Sequence, residues 1–150
     1  MKPTLLPALA LSLAAALAVI PAAITPAQAA QASAPAEKAR VVGVLFYADW
    51  CASCKVLDPK IQAVKRDFAE DSVLFTRFDL TDEFTRRQSL LLAEQLGLGE
   101  IARKHGNTTG FMLLVSNADG RVLGRLVRTN SEADIRQSIQ GALASAGKAS

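Results

Sequence analysis

Residues 41–55 read Val41-Val42-Gly43-Val44-Leu45-Phe46-Tyr47-Ala48-Asp49-Trp50-Cys51-Ala52-Ser53-Cys54-Lys55. This stretch contains both cysteines of the chain, and only two residues separate them. The apolar run before them is typical of a strand that is buried on both faces of a sheet. After them, an apolar stripe at helical spacing predicts a helix through Leu57, Ile61, Val64 and Phe68. A Cys-x-x-Cys pair between a strand and a helix indicates redox chemistry.

The rest of the chain continues this alternation of strands and helices. We expect further strands at residues 73–79, 111–115 and 121–127, two helices between residues 81 and 105, and a last helix starting near Ser131. The helical pattern of residues 81–105 is interrupted by Gly97 and Gly99. A turn at residues 117–120 joins the last two strands. The order β-α-β-α-β-β-α predicts an α/β fold with a central mixed sheet of about four strands flanked by helices.

The first 29 residues have the pattern of a secretory signal peptide. Lys2 is their only charged residue, residues 5–20 are apolar, and Ala27-Gln28-Ala29 has the small-x-small form of a cleavage site. An uncleaved membrane anchor is the alternative, but the apolar stretch is short for a membrane-spanning helix. We therefore expect residues 1–29 to be removed on export.

The remaining chain carries little net charge. Cleavage after Ala29 would leave 16 basic and 14 acidic side chains, a net charge of +2, because Lys2 is the only charged residue removed. This balance does not suggest nucleic acid or an anionic membrane as a partner. Residues 30–40 are small, polar and proline-containing, which predicts a flexible lead-in to a domain at residues 41–146. We expect this domain to be a monomer away from the membrane.

The spacing of the cysteines favours a redox role over a structural one. Export would place them where disulfides form, so a structural disulfide has to be considered. Such a bond stabilises mainly by closing a loop in the unfolded chain, and two intervening residues close almost none. In a redox pair, Cys51 at the helix N-terminus would be the nucleophile, because backbone N–H groups there favour the thiolate. Cys54, one turn further, would resolve the mixed disulfide.

The same stretch resembles the thioredoxin family. Residues 46–55 match its aromatic-aromatic-Ala-x-Trp-Cys-x-x-Cys-Lys signature, and Pro59 falls at the proline of the family's helix, where we expect a kink. The resemblance covers about residues 41–145, and the motif is especially similar to periplasmic domains that pass electrons to exported proteins. It implies a thioredoxin-like fold, with Trp50 shielding the cysteines and forming part of the docking surface. Lys55 would have a minor role.

The chain departs from the family's pattern at two positions. Thioredoxins have a cis-proline just before the third strand, in the substrate groove, where this chain has Thr109 and Gly110. A cis bond before a residue other than proline costs about 3–4 kcal/mol, so we expect a trans peptide and an altered groove. The second departure is Leu45, at the position of a buried acid that is thought to help deprotonate the inner cysteine.

The resemblance implies a periplasmic protein-disulfide oxidoreductase that needs no cofactor beyond its own disulfide. Its expected partners are disulfide-bearing exported proteins, with apocytochromes among the candidates, and a membrane or periplasmic redox protein that recharges it. No histidine lies between the cysteines, where strongly oxidising relatives have one. This favours a reductant or an intermediate potential.

Two other functions remain open. The cysteines could bind Cu(I), because soft thiolates suit that ion, although copper chaperones of this fold have wider cysteine spacing and a histidine after the third strand. His105 is the only histidine, and we expect it at the surface where a helix ends. A four-ligand zinc site would need a carboxylate in addition. A redox-inert binding module that kept the motif is the other alternative, given the missing proline.

Overall fold

Four strands and four helices make up most of residues 39–68 and 72–147, which the computed structural model describes. They are β1 (Val41–Tyr47), α1 (Ala52–Lys65), β2 (Val73–Asp79), α2 (Glu83–Gln95), α3 (Gly99–His105), β3 (Phe111–Ser116), β4 (Val122–Val127) and α4 (Glu132–Ala146). A short 3-10 turn, Arg66–Phe68, extends α1. The predicted order is confirmed, including the two central helices. The predicted signal peptide and residues 30–38 of the lead-in lie outside the described residues.

The strands form one mixed sheet in the order β2-β1-β3-β4. β1 is parallel to β2 and antiparallel to β3, and β3 and β4 form an antiparallel hairpin. The parallel pair requires a crossover connection, which α1 supplies. The interior strands β1 and β3 are almost completely buried, as their apolar sequences predict. This arrangement confirms the predicted α/β fold with a four-stranded mixed sheet.

Alternate residues of the sheet contribute to two separate cores. One core lies between the sheet and helices α1 and α4, and it includes Val41, Leu45, Leu57, Met112 and Ile139. The other lies between the sheet and helices α2 and α3, and it includes Val42, Phe46, Phe78, Phe111 and Ala102. Because side chains of a strand point alternately to opposite faces, β1 supplies both cores and lies at the centre of the molecule.

The helices begin and end at local signals that are visible in the sequence. Ser131 caps α4 and forms a capping box with Asp134, as the predicted start of this helix requires. Asp82 and Thr85 form the same arrangement at the start of α2. Gly97 has a φ of 68°, a conformation suited to glycine, between α2 and α3. In the described residues, no helix has the length and apolar character needed to cross a membrane.

The start of α1 agrees with the expected position of Cys51 at a helix N-terminus. The helix begins at Ala52, directly after Cys51, so that Cys54 lies in its first turn. Cysteine is not among the residues that usually cap helices, so this start follows from the chemistry of the cysteine pair and not from a capping signal. Pro59 lies inside α1, which continues to Lys65; the kink at Pro59 stays a prediction.

Candidate active site

Cys51 lies where β1 has ended and α1 begins, and it is the N-cap residue of that helix. Its backbone is extended, and its Sγ accepts a hydrogen bond from the backbone N–H of Cys54 at 3.2 Å. The residue is only 8% exposed, which is still more than Cys54. The helix N-terminus thus directs a backbone donor at the sulfur that would carry negative charge.

Cys54 lies deeper in the protein than Cys51. It is fully buried, and its thiol donates a hydrogen bond to the carbonyl oxygen of Phe46, with the sulfur 3.7 Å from that oxygen. The same carbonyl accepts the backbone N–H of Gly110 at 2.9 Å. The end of β1 therefore holds both the inner cysteine and the loop before β3.

The pKa values of the two thiols are shifted in opposite directions. Burial acts to raise the pKa of Cys51, but hydrogen bonds from the Cys54 and Thr109 side chains and from the backbone N–H groups of Cys54 and Ser53 outweigh it, so this pKa lies below its ordinary value. Burial and the neighbouring Cys51 raise the pKa of Cys54 to about 11. Cys51 is therefore the more acidic of the two thiols and the one that ionises first.

The loop before β3 lies directly against Cys51, which is the less buried, outer cysteine. Gly110 has a φ of 89°, and a Cβ added there would lie 2.8 Å from the Cβ of Ser53 and 3.3 Å from the Sγ of Cys51. The backbone conformation and the close approach both require glycine. The described residues contain no cis peptide bond, which confirms the trans peptide expected at Thr109-Gly110.

Trp50 lies beside the cysteines with an exposed ring. Two-thirds of the residue, 66%, is exposed, and its indole N–H donates to the carbonyl oxygen of Thr81 at 3.1 Å. The backbone N–H of Asp49 donates to the Thr81 hydroxyl at 3.0 Å. Trp50 therefore belongs to the surface around Cys51 and not to the core.

Asp79 and Thr81, which are not among the residues that the sequence predicts at the site, support the loop containing Asp49 and Trp50. A carboxylate oxygen of Asp79 accepts hydrogen bonds from the backbone N–H and the hydroxyl of Thr81. Asp79 is paired with Tyr47 in the parallel β1–β2 register. Because the ends of parallel strands meet at one edge of a sheet, the polar residues after β2 could have been placed near Cys51 from the predicted strands alone.

The remaining predicted residues lie at different depths. Leu45 is 2% exposed and belongs to the core beneath α1, so the position that holds an acid in many thioredoxins is apolar here. Lys55 and Pro59 are exposed on α1. His105 does end α3 as predicted, but it is half-buried, with its ring against those of Phe46 and Phe111 at centroid distances of 5.8 Å.

The surroundings of His105 favour its neutral form. Burial lowers the pKa of its imidazole, and the positive charges of Lys104 and Arg125 lower it further. Within residues 39–68 and 72–147, no group of three or more histidine, cysteine, aspartate or glutamate side chains is placed to hold a metal ion.

Comparison with known proteins agrees with this geometry. The thioredoxin family model matches residues 25–90. A crystal structure of a thiol:disulfide interchange protein of the thioredoxin family from Chlorobium tepidum TLS is 21% identical, with a TM-score of 0.51, over 74% of this chain and 84% of that one. That of a putative thiol:disulfide interchange protein DsbE from Chlorobium tepidum is 20% identical, with a TM-score of 0.50, over 71% and 82%. No curated protein sequence matches the chain.

The protein therefore has a thioredoxin-like fold, and the resemblance seen in the sequence is confirmed. Its Cys-x-x-Cys pair lies at the junction of β1 and α1, with one sulfur near the surface and the other enclosed.

Proposed function

We propose that the protein is an exported thiol-disulfide oxidoreductase that reduces or exchanges disulfides in exported proteins through Cys51 and Cys54. The observation that carries this proposal is the placement of the two thiols: the Cys51 sulfur caps α1 and accepts a backbone N–H at 3.2 Å, whereas Cys54 is fully buried. Hydrogen bonds lower the pKa of the outer cysteine, whereas the inner one keeps its proton until about pH 11. Such a difference assigns a nucleophile and a resolving thiol.

In the first step, the thiolate of Cys51 attacks one sulfur of a substrate disulfide. A bond forms between Cys51 Sγ and that sulfur, the substrate's S–S bond breaks, and the second substrate sulfur leaves as a thiolate that takes up a proton. The backbone N–H of Cys54 and the side chain of Thr109 hydrogen-bond the attacking sulfur. These donors stabilise the thiolate before the attack.

In the second step, Cys54 loses its proton and attacks the sulfur of Cys51. The Cys51–Cys54 disulfide forms, and the first substrate sulfur leaves as a thiolate, so that two electrons have passed to the substrate. The neighbouring Cys51 is one of the causes that raise the pKa of Cys54. Because the mixed disulfide removes the charge on Cys51, the pKa of Cys54 falls at the step in which its thiolate is needed.

The reaction needs no cofactor, but the Cys51–Cys54 disulfide must be reduced again. We assign this step to the dithiol of a membrane or periplasmic redox protein, which becomes a disulfide as it passes two electrons to the cysteines. The signal-peptide pattern of residues 1–29 supports a periplasmic location, with residues 30–40 as a lead-in and a monomeric domain at residues 41–146. Disulfide-bearing exported proteins are then the substrates.

Residues around the cysteines have supporting roles in this scheme. Thr109 and Gly110 form the wall of the substrate groove next to Cys51, because the Gly110 backbone lies against its sulfur. Trp50 covers the adjacent surface, with Lys55 making a minor electrostatic contribution from the exposed side of α1. Pro59 shapes the same helix.

Reduction of insulin disulfides by a supplied dithiol tests the proposal. The wild-type protein is expected to accelerate reduction, and Cys51→Ser is expected to abolish the acceleration, since it removes the nucleophile. Val122→Ser, an exposed position at the other end of the sheet, serves as a matched control and is expected to keep full activity. Equal rates for wild type and Cys51→Ser would rule out the proposed reaction.

A further inference from the structure

Helix α2 exposes large apolar side chains that nothing in the described residues covers. Six large hydrophobic side chains are exposed among the described residues, namely Trp50, Val56, Phe84, Leu91, Leu92 and Val122. Three of them belong to α2, where Phe84 is 64% exposed and Leu91 is 69% exposed. Exposed large side chains that cluster on one element often mark an interaction site.

The helical spacing places these side chains on one side of α2. Phe84 and Leu91 are seven residues apart, and we define the outer face of α2 as Phe84, Gln88, Leu91, Leu92 and Gln95. The buried residues of the helix, Ser89 and Ala93, lie on the opposite side. The five residues of the outer face are uncharged over a length of about 17 Å, and the exposed charged residues of α2, Glu83, Arg87 and Glu94, lie along one edge of this face.

The outer face of α2 begins next to the reactive cysteine. Thr81, two residues before the first residue of α2, receives hydrogen bonds from the Trp50 indole and from the backbone N–H of Asp49. These bonds fix the N-terminal end of the helix to the loop that contains Cys51. Trp50, adjacent to Cys51 in the chain, and Phe84, in the first turn of α2, are therefore exposed apolar side chains on segments that these bonds join.

From this arrangement we infer that the outer face of α2 binds an apolar segment of the polypeptide whose disulfide reacts with Cys51. A substrate sulfur that reaches Cys51 brings its own backbone over the neighbouring surface. The face itself carries no charge, and of the charges at its edge Arg87 is paired with Glu83, so the face matches apolar side chains better than charged ones. This inference rests on the proposed function and adds a substrate class to it, namely polypeptides with apolar residues next to the reactive disulfide.

Two cystine peptides provide the test. They have the same length and charge, but leucines flank the cystine in one and serines in the other. The wild-type protein is expected to reduce the leucine peptide roughly tenfold faster, since burial of one or two large apolar side chains has effects of this size. The ratio of the two rates is the readout, because a loss of folded protein lowers both rates together and leaves the ratio unchanged.

The double variant Phe84→Ser/Leu91→Gln is expected to reduce this ratio to about two or less. Val122→Ser removes another exposed apolar side chain, at the far end of the sheet, and is expected to leave the ratio as in wild type. An unchanged ratio in the double variant would overturn the inference. So would self-association of the wild type that the double variant abolishes, because the occupant would then be a second copy.

The same assay separates failure of the inference from failure of the proposed function. If the wild type reduces both peptides at equal rates, the outer face of α2 does not select substrates, while the oxidoreductase activity stands. If it reduces neither peptide, the proposed function fails, and the inference fails with it.

Discussion

Thr109 is the residue that connects the loop before β3 to the reactive sulfur. Its side chain hydrogen-bonds Cys51 and is one of the causes that lower the pKa of that thiol. A hydrogen bond to the ionised form favours it, whereas burial is the largest effect on the thiol of Cys54 and raises its pKa. A hydroxyl at residue 109 therefore contributes to the reactivity of Cys51 at neutral pH.

We expect Thr109→Val to raise the pKa of Cys51, because valine has a similar shape but cannot donate a hydrogen bond. The pH profile of Cys51 alkylation by iodoacetamide would move to higher pH, and the rate at pH 7 would fall several-fold. Thr109→Ser retains the donor and should keep the wild-type profile. A valine variant with the wild-type profile would show that the hydroxyl does not act on the thiolate.

Gly110 and Gly120 allow the cost of close packing to be separated from the cost of backbone strain. Both have positive φ, but an added Cβ would collide with Ser53 at Gly110 and meet nothing within 4 Å at Gly120. We expect Gly120→Ala to lower the free energy of unfolding by about 1 kcal/mol from strain alone. Gly110→Ala should lower it by roughly 3 kcal/mol. Urea denaturation measures both, and equal losses would contradict the packing argument.

At the level of helices and strands, local sequence patterns predict the order of the elements well. β1 and β3 are continuous apolar runs, and α4 starts at a serine with an acid three residues later. These signals are local, so no tertiary contact is needed to recognise them. The start of α1 has no such local capping signal, because its capping group is a thiol, and the position of Cys51 at this helix N-terminus was expected only from the chemistry of the cysteine pair.

The capping box of α4 allows the contribution of such a local signal to stability to be measured. Ser131 accepts the backbone N–H of Asp134, whose carboxylate accepts the backbone N–H of Ser131 in return. We expect Ser131→Ala to lower the free energy of unfolding by about 1 kcal/mol. Ser131→Asn keeps a side-chain acceptor and should lose much less. Chemical denaturation would reveal whether the two variants differ, and equal losses would argue against a role of the cap in stability.

In the whole molecule, the candidate site depends on contacts between distant parts of the chain. The cysteines are obvious in the sequence, but the hydrogen bonds of Trp50 and Asp49 to Thr81 join residues more than thirty positions apart. The same is true of Gly110, which reaches the sulfur of Cys51 only because β3 lies beside β1. His105 was expected at the surface because it lies where a helix ends, whereas packing against Phe46 and Phe111 half-buries it.

In the proposed reaction Cys51 attacks the substrate disulfide and Cys54 resolves the mixed disulfide. Mass spectrometry of Cys54→Ser after incubation with a cystine peptide tests this assignment, with Cys51→Ser as the matched variant. We expect Cys54→Ser to accumulate a mixed disulfide at Cys51, because the resolving thiol is missing, and Cys51→Ser to form almost none, because Cys54 is fully buried and a substrate disulfide does not reach it. A mixed disulfide that forms as readily on Cys54 in the Cys51→Ser variant would contradict the assignment.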